Sequence, residues 1–334
     1  MQPVPSRRKR WLIRTIKLLV LVLVVWAVRR TLIDAWNQLD EHRWHLEPIW
    51  LGASAGLYLA GLLPAALFWH RVLHILGQRA RLRDTMRAYY IGHLGKYVPG
   101  KAMVVVLRTG LIRGERVDTG VAAASVFVET LTMMAVGSFL AAAILAVWFR
   151  EEGWIVAGAV GLMLVSGLPT IPKVFRHLAR LAGVGKDPAT AAKLERLGWG
   201  ALLLGWMGMA VGWCLMGLSY WAVLRAMEIP GLDPLVQLPR YTAAVSLAMV
   251  AGFLLLVLPG GMGVREAALV KLMVPYLTEL TPHAELAAWA SAAVLRIVWL
   301  LSELGISGIL YMLGVVDRSR SAPTEPIALP ENRR

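Results

Sequence analysis

Residues 245–271 read VSLAMVAGFLLLVLPGGMGVREAALVK. The run is apolar up to Leu258; Pro259-Gly260-Gly261 then breaks it, and Arg265-Glu266 opens a second, shorter apolar run that carries Lys271. Proline and glycine stop one helix, and the next begins with exposed backbone N–H groups at the positive end of its dipole. A matching interruption lies at Gly92-His93-Leu94-Gly95-Lys96-Tyr97-Val98-Pro99-Gly100-Lys101, followed by apolar Ala102 to Leu107 and then Arg108. Each break has Pro-Gly, then a basic residue, then a new apolar helix. A helix start with Lys or Arg beside it suits an anion. Paired Gly/Pro-interrupted segments in corresponding halves of a membrane protein point to a substrate site.

Composition puts these breaks in a membrane. Of 334 residues 57% are hydrophobic and 17% charged, with a mean hydropathy of +0.60, whereas soluble domains carry about 25% charged residues. An ordinary soluble enzyme is excluded. Cys214 is the sole cysteine, which excludes a disulfide framework and a cysteine metal site. The fourteen tryptophans suit aromatic belts at the membrane interfaces. About 20 apolar residues are needed to cross the hydrocarbon as helix. Candidate spans are 12–30, 49–68, 121–148, 154–171, 198–224, 241–258, 262–277 and 286–314, the seventh short enough to be broken or re-entrant. The expected fold is therefore an all-α polytopic protein of about eight spans, with two interrupted segments and two four-span halves. Gly52/Gly56 and Gly208/Gly212 have the spacing of close helix contacts.

The formal charge of +14 is mostly topology. Residues 1–10 hold four basic residues and no acid, 69–120 hold ten against three acids, and 172–197 six against two. The loops between these are neutral or acidic, so the positive-inside rule places both termini in the cytoplasm. Arg79, Arg81, Arg83 and Arg87 are expected against anionic lipid, and Tyr89 and Tyr90 as interface anchors. Residues 1–11 are expected as a basic N-terminus, 12–316 as the membrane domain and 317–334 as a disordered cytoplasmic tail.

Among the spans after the first, the interrupted segments apart, Glu129, Arg296 and Glu303 are the ionisable residues. Charge at a helix centre costs roughly 2.5–3.5 kcal/mol on insertion scales, so these three need partners or a wet cavity. They make a polar path or a structural ion pair, with Glu129 in reach of Arg296 if their spans are neighbours. Gly95 to Lys101 imitates a P-loop, but Ala102 stands where Ser or Thr should hold magnesium, and nucleotide hydrolysis is rejected. His70 and His74 sit four apart without a third ligand.

Gly95-Lys96-Tyr97-Val98-Pro99-Gly100-Lys101, Glu129 in the next span and Leu258-Pro259-Gly260-Gly261-Met262-Gly263-Val264-Arg265-Glu266 resemble the motifs of the lysylphosphatidylglycerol synthase transmembrane (flippase-like) family over about residues 10–315. The resemblance implies a bacterial inner-membrane protein related to the flippase half of enzymes that make and export aminoacylated phosphatidylglycerol. The soluble synthase domain of those enzymes has no counterpart in these 334 residues, which puts lysyl transfer out of reach.

The reading is a lipid translocase, not an enzyme, with no cofactor, no metal and no nucleic-acid partner. Its ligand is an anionic phospholipid or lipid-linked phosphate. Lys96, Gly100, Lys101, Gly263, Arg265 and Arg108 are expected to hold the headgroup phosphate, and Glu129, Arg296 and Glu303 to line the path. Glu266, Lys271 and His93 are second-rank candidates. The alternatives are a membrane-embedded lipid or polyprenyl-phosphate transferase using Asp34, Asp40, Glu41 and Glu47 with His42 and His45, or a lipid-binding scaffold for a partner enzyme in the same membrane.

Overall fold

The computed structural model describes residues 45–98, 102–112, 117–148, 150–151, 153–181, 192, 195, 198–254 and 263–320. The expected span 12–30, residues Pro99 to Lys101, Leu258 to Met262 and 321–334 lie outside that set.

Helix α1 (Pro48–Ile75) begins with proline at its first turn and ends in a glycine cap. Gly77 takes φ +76°, and the N–H groups of Gly77 and Gln78 donate to the carbonyls of His74 and Leu73 at 2.9 Å, the Schellman closure. The chain then forms α2 (Leu82–His93), a 3-10 turn (Leu94–Tyr97), α3 (Ala102–Ile112) and α4 (Thr119–Trp148). Next come α5 (Gly153–Gly167) and α6 (Pro172–Leu181). The second half has α7 (Trp199–Ala226), α8 (Leu238–Leu254), α9 (Val264–Leu277) and α10 (Ala284–Arg320). All described elements are helical apart from one isolated bridge residue, Val117. Four helices, α1, α4, α7 and α10 (to Gly314), are long and apolar enough to cross a membrane. The expected spans 241–258 and 262–277 are α8 and α9, of 17 and 14 residues, packed on each other as the arms of a hairpin. Residues 317–320 prolong α10.

The first interruption departs most from expectation. Residues 69–120 read as a basic loop, yet α2 and α3 fold back into the bundle as a second hairpin. Gly92 and Gly95 make this possible: a Cβ on Gly95 would lie 2.6 Å from the Val104 backbone nitrogen, and one on Gly92 would strike the Arg108 side chain. Tyr89 is fully buried rather than interfacial, and Tyr90 is nearly so. The tryptophans also divide: Trp69, Trp213 and Trp299 are core residues, their indole N–H groups bonded to Ser125, the Met133 carbonyl and Ser219 at 2.8, 3.1 and 2.9 Å.

The helices α1 and α7 form the central seam. The Glu47 N–H donates to the Ala226 carbonyl at 2.9 Å, Ser54 meets Ser219 at 2.9 Å, Gly61 faces Gly212, and Phe68 packs over Gly205. Seven residues forward in α1 match seven backward in α7, so the two run antiparallel with coiled-coil periodicity. Around this seam α2 packs on α10 and α8 on α4; α3 packs on α4 and α9 on α10; α1 and α7 each touch both α4 and α10. Exchanging α1 with α7, α2 with α8, α3 with α9 and α4 with α10 maps these packed pairs onto one another. Because α1 and α7 are antiparallel, the halves are an inverted repeat. The hairpins therefore enter from opposite ends. The start of α2 lies by the end of α10, with Arg87 against Gly314, and the start of α8 by the end of α4, with the Arg240 guanidinium 5.1 Å from the Trp148 ring.

Of the spaced glycines, Gly212 is used and Gly52 and Gly56 face open space. A Cβ on Gly212 would sit 2.5 Å from the Gly61 carbonyl oxygen. Gly212→Ala should therefore lower unfolding stability in detergent by about 1–3 kcal/mol, while Gly52→Ala should stay within about 0.5 kcal/mol of wild type.

Candidate functional site

Inside the bundle the three intramembrane charges of the long helices, Glu129, Arg296 and Glu303, each find a partner from an interrupted segment. Glu129 on α4 takes Arg108 from α3, Nη1 to Oε2 at 2.5 Å; Tyr89 donates to Oε1 at 3.2 Å and Thr130 to Oε2 at 3.2 Å. The Arg108 guanidinium lies 3.9 Å from the Tyr89 ring centroid and is 2% exposed. Glu303 on α10 takes Lys96 from the turn after α2, at 2.5 Å. The Tyr58 hydroxyl of α1 donates to the same Oε1, and the Tyr58 ring stacks on Trp299, centroids 4.2 Å apart. Arg296, also on α10, donates to Glu266 Oε1 of α9 at 2.8 Å.

Two members of the sequence-derived headgroup set, Lys96 and Arg108, thus pair with two of the polar path, Glu303 and Glu129, while the third path residue, Arg296, pairs with the second-rank Glu266. Arg296 and Glu129 do not meet: each is held by its own half's hairpin. At the second break Gly263 has φ +81°, a conformation suited to glycine, and its N–H donates to Glu266 Oε2 at 2.8 Å. A carboxylate of the chain itself therefore occupies part of the positive helix end expected to hold phosphate. Lys271 is exposed on α9. Gly100 and Lys101 lie outside the described residues.

A cavity of about 420 Å³ opens beside these pairs, within the range of small-molecule sites. Lys96, His93, Arg108, Glu129 and Arg265 line it with the apolar Phe127, Met133, Met134, Met249 and Phe253. Phe127 is 52% exposed on the outside of the bundle, so the apolar wall continues to the lipid-facing surface. Among the described residues, three buried polar atoms of these pairs and their neighbour His93 have no hydrogen-bond partner: His93 Nε2, Arg108 Nε and Glu303 Oε2. Arg265 differs from the other cations. Its guanidinium lies 5.7 Å from the Trp299 ring, and among the described residues no carboxylate pairs with it.

Sequence reading missed Tyr58 and misplaced Tyr89, which supply a hydroxyl to Glu303 and to Glu129 respectively. A tyrosine in mid-span was the available signal for Tyr58, since a buried phenol needs a polar partner. His70 and His74 are used locally, bonded to Thr85 Oγ1 at 3.0 Å and the Ala80 carbonyl at 2.9 Å. Among the described residues no group of three or more metal-ligating side chains occurs; Asp34, Asp40, Glu41 and His42 lie outside them.

Four long apolar helices, two hairpins from opposite ends and charge pairs at mid-depth define a multi-pass membrane protein built as an inverted repeat. The lysylphosphatidylglycerol synthase TM region family matches residues 14–310, and the chain belongs to that family, which places it among membrane proteins of lipid metabolism or transport. The comparison with curated proteins gave no match.

Removing one partner of a buried ion pair costs about 3–5 kcal/mol because the other charge is stranded. Arg108→Met should therefore destabilise the detergent-solubilised protein by about that amount, and Arg108→Met with Glu129→Met should regain most of it, read by thermal unfolding.

Proposed function

We propose that this protein is a lipid translocase that moves an anionic, phosphate-bearing lipid across the bacterial inner membrane, with both termini cytoplasmic and no covalent bond made or broken. The observation that carries this reading is the uncompensated charge at the cavity. Lys96, Arg108 and Arg296 are matched by Glu303, Glu129 and Glu266 respectively, whereas Arg265 lines the cavity with no carboxylate paired to it among the described residues. The site lacks one negative charge, and a phosphate headgroup supplies it. Guanidinium binds phosphate oxygens bidentately, and the unpartnered Arg108 Nε and His93 Nε2 offer further polar contacts.

The geometry suits a lipid better than a soluble anion. The cavity wall is mainly apolar and runs out to exposed Phe127, so acyl or prenyl chains stay in the bilayer while the headgroup sits beside Arg265. The headgroup would then pass Lys96 and Glu303 to reach the opposite face. An inverted repeat with its site between the halves is the architecture of alternating access.

In proteoliposomes carrying fluorescent phosphatidylglycerol, reductant-accessible signal should report movement by the wild type. Arg265→Ala should slow it by about 10- to 100-fold, the value of one charge-assisted contact, and Arg265→Lys should restore part of it. Unchanged movement of every anionic lipid tried with Arg265→Ala would sink the reading.

A further inference from the structure

Helix α6 (Pro172–Leu181) takes no part in the cavity or the charge pairs. Helix α5 packs along α4 and ends in a 3-10 turn (Leu168–Thr170), where the Thr170 hydroxyl donates to the Gly167 carbonyl at 2.7 Å. Ile171 is then extended, with ψ 130°, as a residue before proline prefers, so the helical run is broken before α6 begins. Helix α6 packs chiefly against that turn, and the turn packs on α4.

The length of this arm sets the depth of α6. Helix α5 and the turn together rise roughly 28 Å, close to the thickness of the hydrocarbon, about 30 Å. Helix α6 therefore begins at the interface opposite the end of α4, at the end of the bundle where α4 starts. There the Asp118 N–H donates to Gln78 Oε1 at 2.7 Å, Arg79, Arg81 and Arg83 are exposed, and Trp199 at the start of α7 is 66% exposed, as an interfacial tryptophan is. The sequence of α6 is two-faced. Residues 171–186 hold Lys173, Arg176, Arg180 and Lys186 and no acid. At helical spacing Lys173, Arg176, His177 and Arg180 fall within one arc, and Val174, Phe175, Leu178 and Leu181 fall across from it. Lys173 and His177 are exposed and Arg176 and Val174 half-buried. The three basic side chains line one open cleft, which Glu195 shares.

We propose that α6 is an interfacial helix that docks on anionic phospholipid in the leaflet at that end of the bundle. Its cations hold lipid phosphates, and the Val174 side faces the acyl chains. A basic amphipathic helix at this depth lies in the interface plane, its apolar side a few ångströms into the acyl boundary. The exposed arginines at the start of α2 extend the same positive surface, and an anionic leaflet complements both. Lipid at α6 is a bound surface and not a cargo, so this site does not rest on the translocase reading.

The test uses the full chain with Cys214→Ser, spin-labelled at Val174→Cys or at Lys173→Cys. It is placed in nanodiscs of phosphatidylcholine, alone or in equal parts with phosphatidylglycerol. Power saturation compares collisions with oxygen, which concentrates among acyl chains, and with a water-soluble nickel chelate. With phosphatidylglycerol the label at 174 should meet oxygen and be shielded from the chelate, and the label at 173 should show the reverse. Leaving out phosphatidylglycerol should raise the chelate exposure at 174. Adding Lys173→Gln and Arg176→Gln should do the same, the docked-to-undocked ratio falling by about fivefold per cation lost. A label at 174 open to the chelate beside phosphatidylglycerol overturns the proposal. So does one shielded from both reagents, which marks a protein neighbour such as a second copy. One equally deep in phosphatidylcholine alone also overturns it, marking apolar contact without recognition of anionic lipid. The lipid comparison uses one labelled chain throughout, so it does not depend on the folding of the glutamine variant.

Discussion

An ion placed at bilayer depth must be matched, and that constraint shapes the rest of this molecule. Among the described residues the bundle interior holds three close pairs, Arg108–Glu129, Lys96–Glu303 and Arg296–Glu266, each joining an interrupted segment to a long helix. Two of them pin a hairpin to the span that follows it, with the signs reversed between halves: arginine on α3 with glutamate on α4, glutamate on α9 with arginine on α10. The third crosses between halves. Desolvation makes such pairs poor sources of net stability, so their value lies in register, because only one depth of insertion brings both charges together.

The antiparallel α1–α7 seam gives the pairs a frame. Small residues every seven positions let the backbones approach to the Gly61–Gly212 contact, and serine hydroxyls bridge at Ser54 and Ser219. In lipid, where apolar burial gives helices little reason to associate, close packing and interhelical hydrogen bonds supply the attraction. The hairpins on either side of the seam contribute different residues to the cavity, Tyr89, His93 and Arg108 from the first and Met249, Phe253 and Arg265 from the second.

Much of this was legible in the sequence, and the losses have physical causes. Lys96, Arg108 and Arg265, the basic residues marked beside the two breaks, and the three intramembrane charges Glu129, Arg296 and Glu303 are the described residues that gather in the bundle interior. What the chain could not reveal is who pairs with whom. Lys96 and Glu303 are 207 positions apart, and no local pattern encodes that contact. The hairpin α2–α3 was hidden because its arms are 12 and 11 residues, below the length of a span, and its arginines read as loop. The arrest of Gly263 by Glu266 was readable in principle: a glutamate three residues after a helix start is the capping position. The inverted relation of the halves was not, because it depends on the direction of α7 against α1.

The interleaving of the halves has a consequence for how the protein is made. Helix α2 rests on α10, so the first hairpin lacks its neighbour until α10 has been made. At roughly 5–20 residues per second of synthesis, the 207 positions between Lys96 and Glu303 correspond to a wait of about 10–40 s. During that interval Lys96 has no carboxylate of its own, and the hairpin has reason to stay at the surface beside anionic headgroups. Helix α10 is then the element that draws the first hairpin into place.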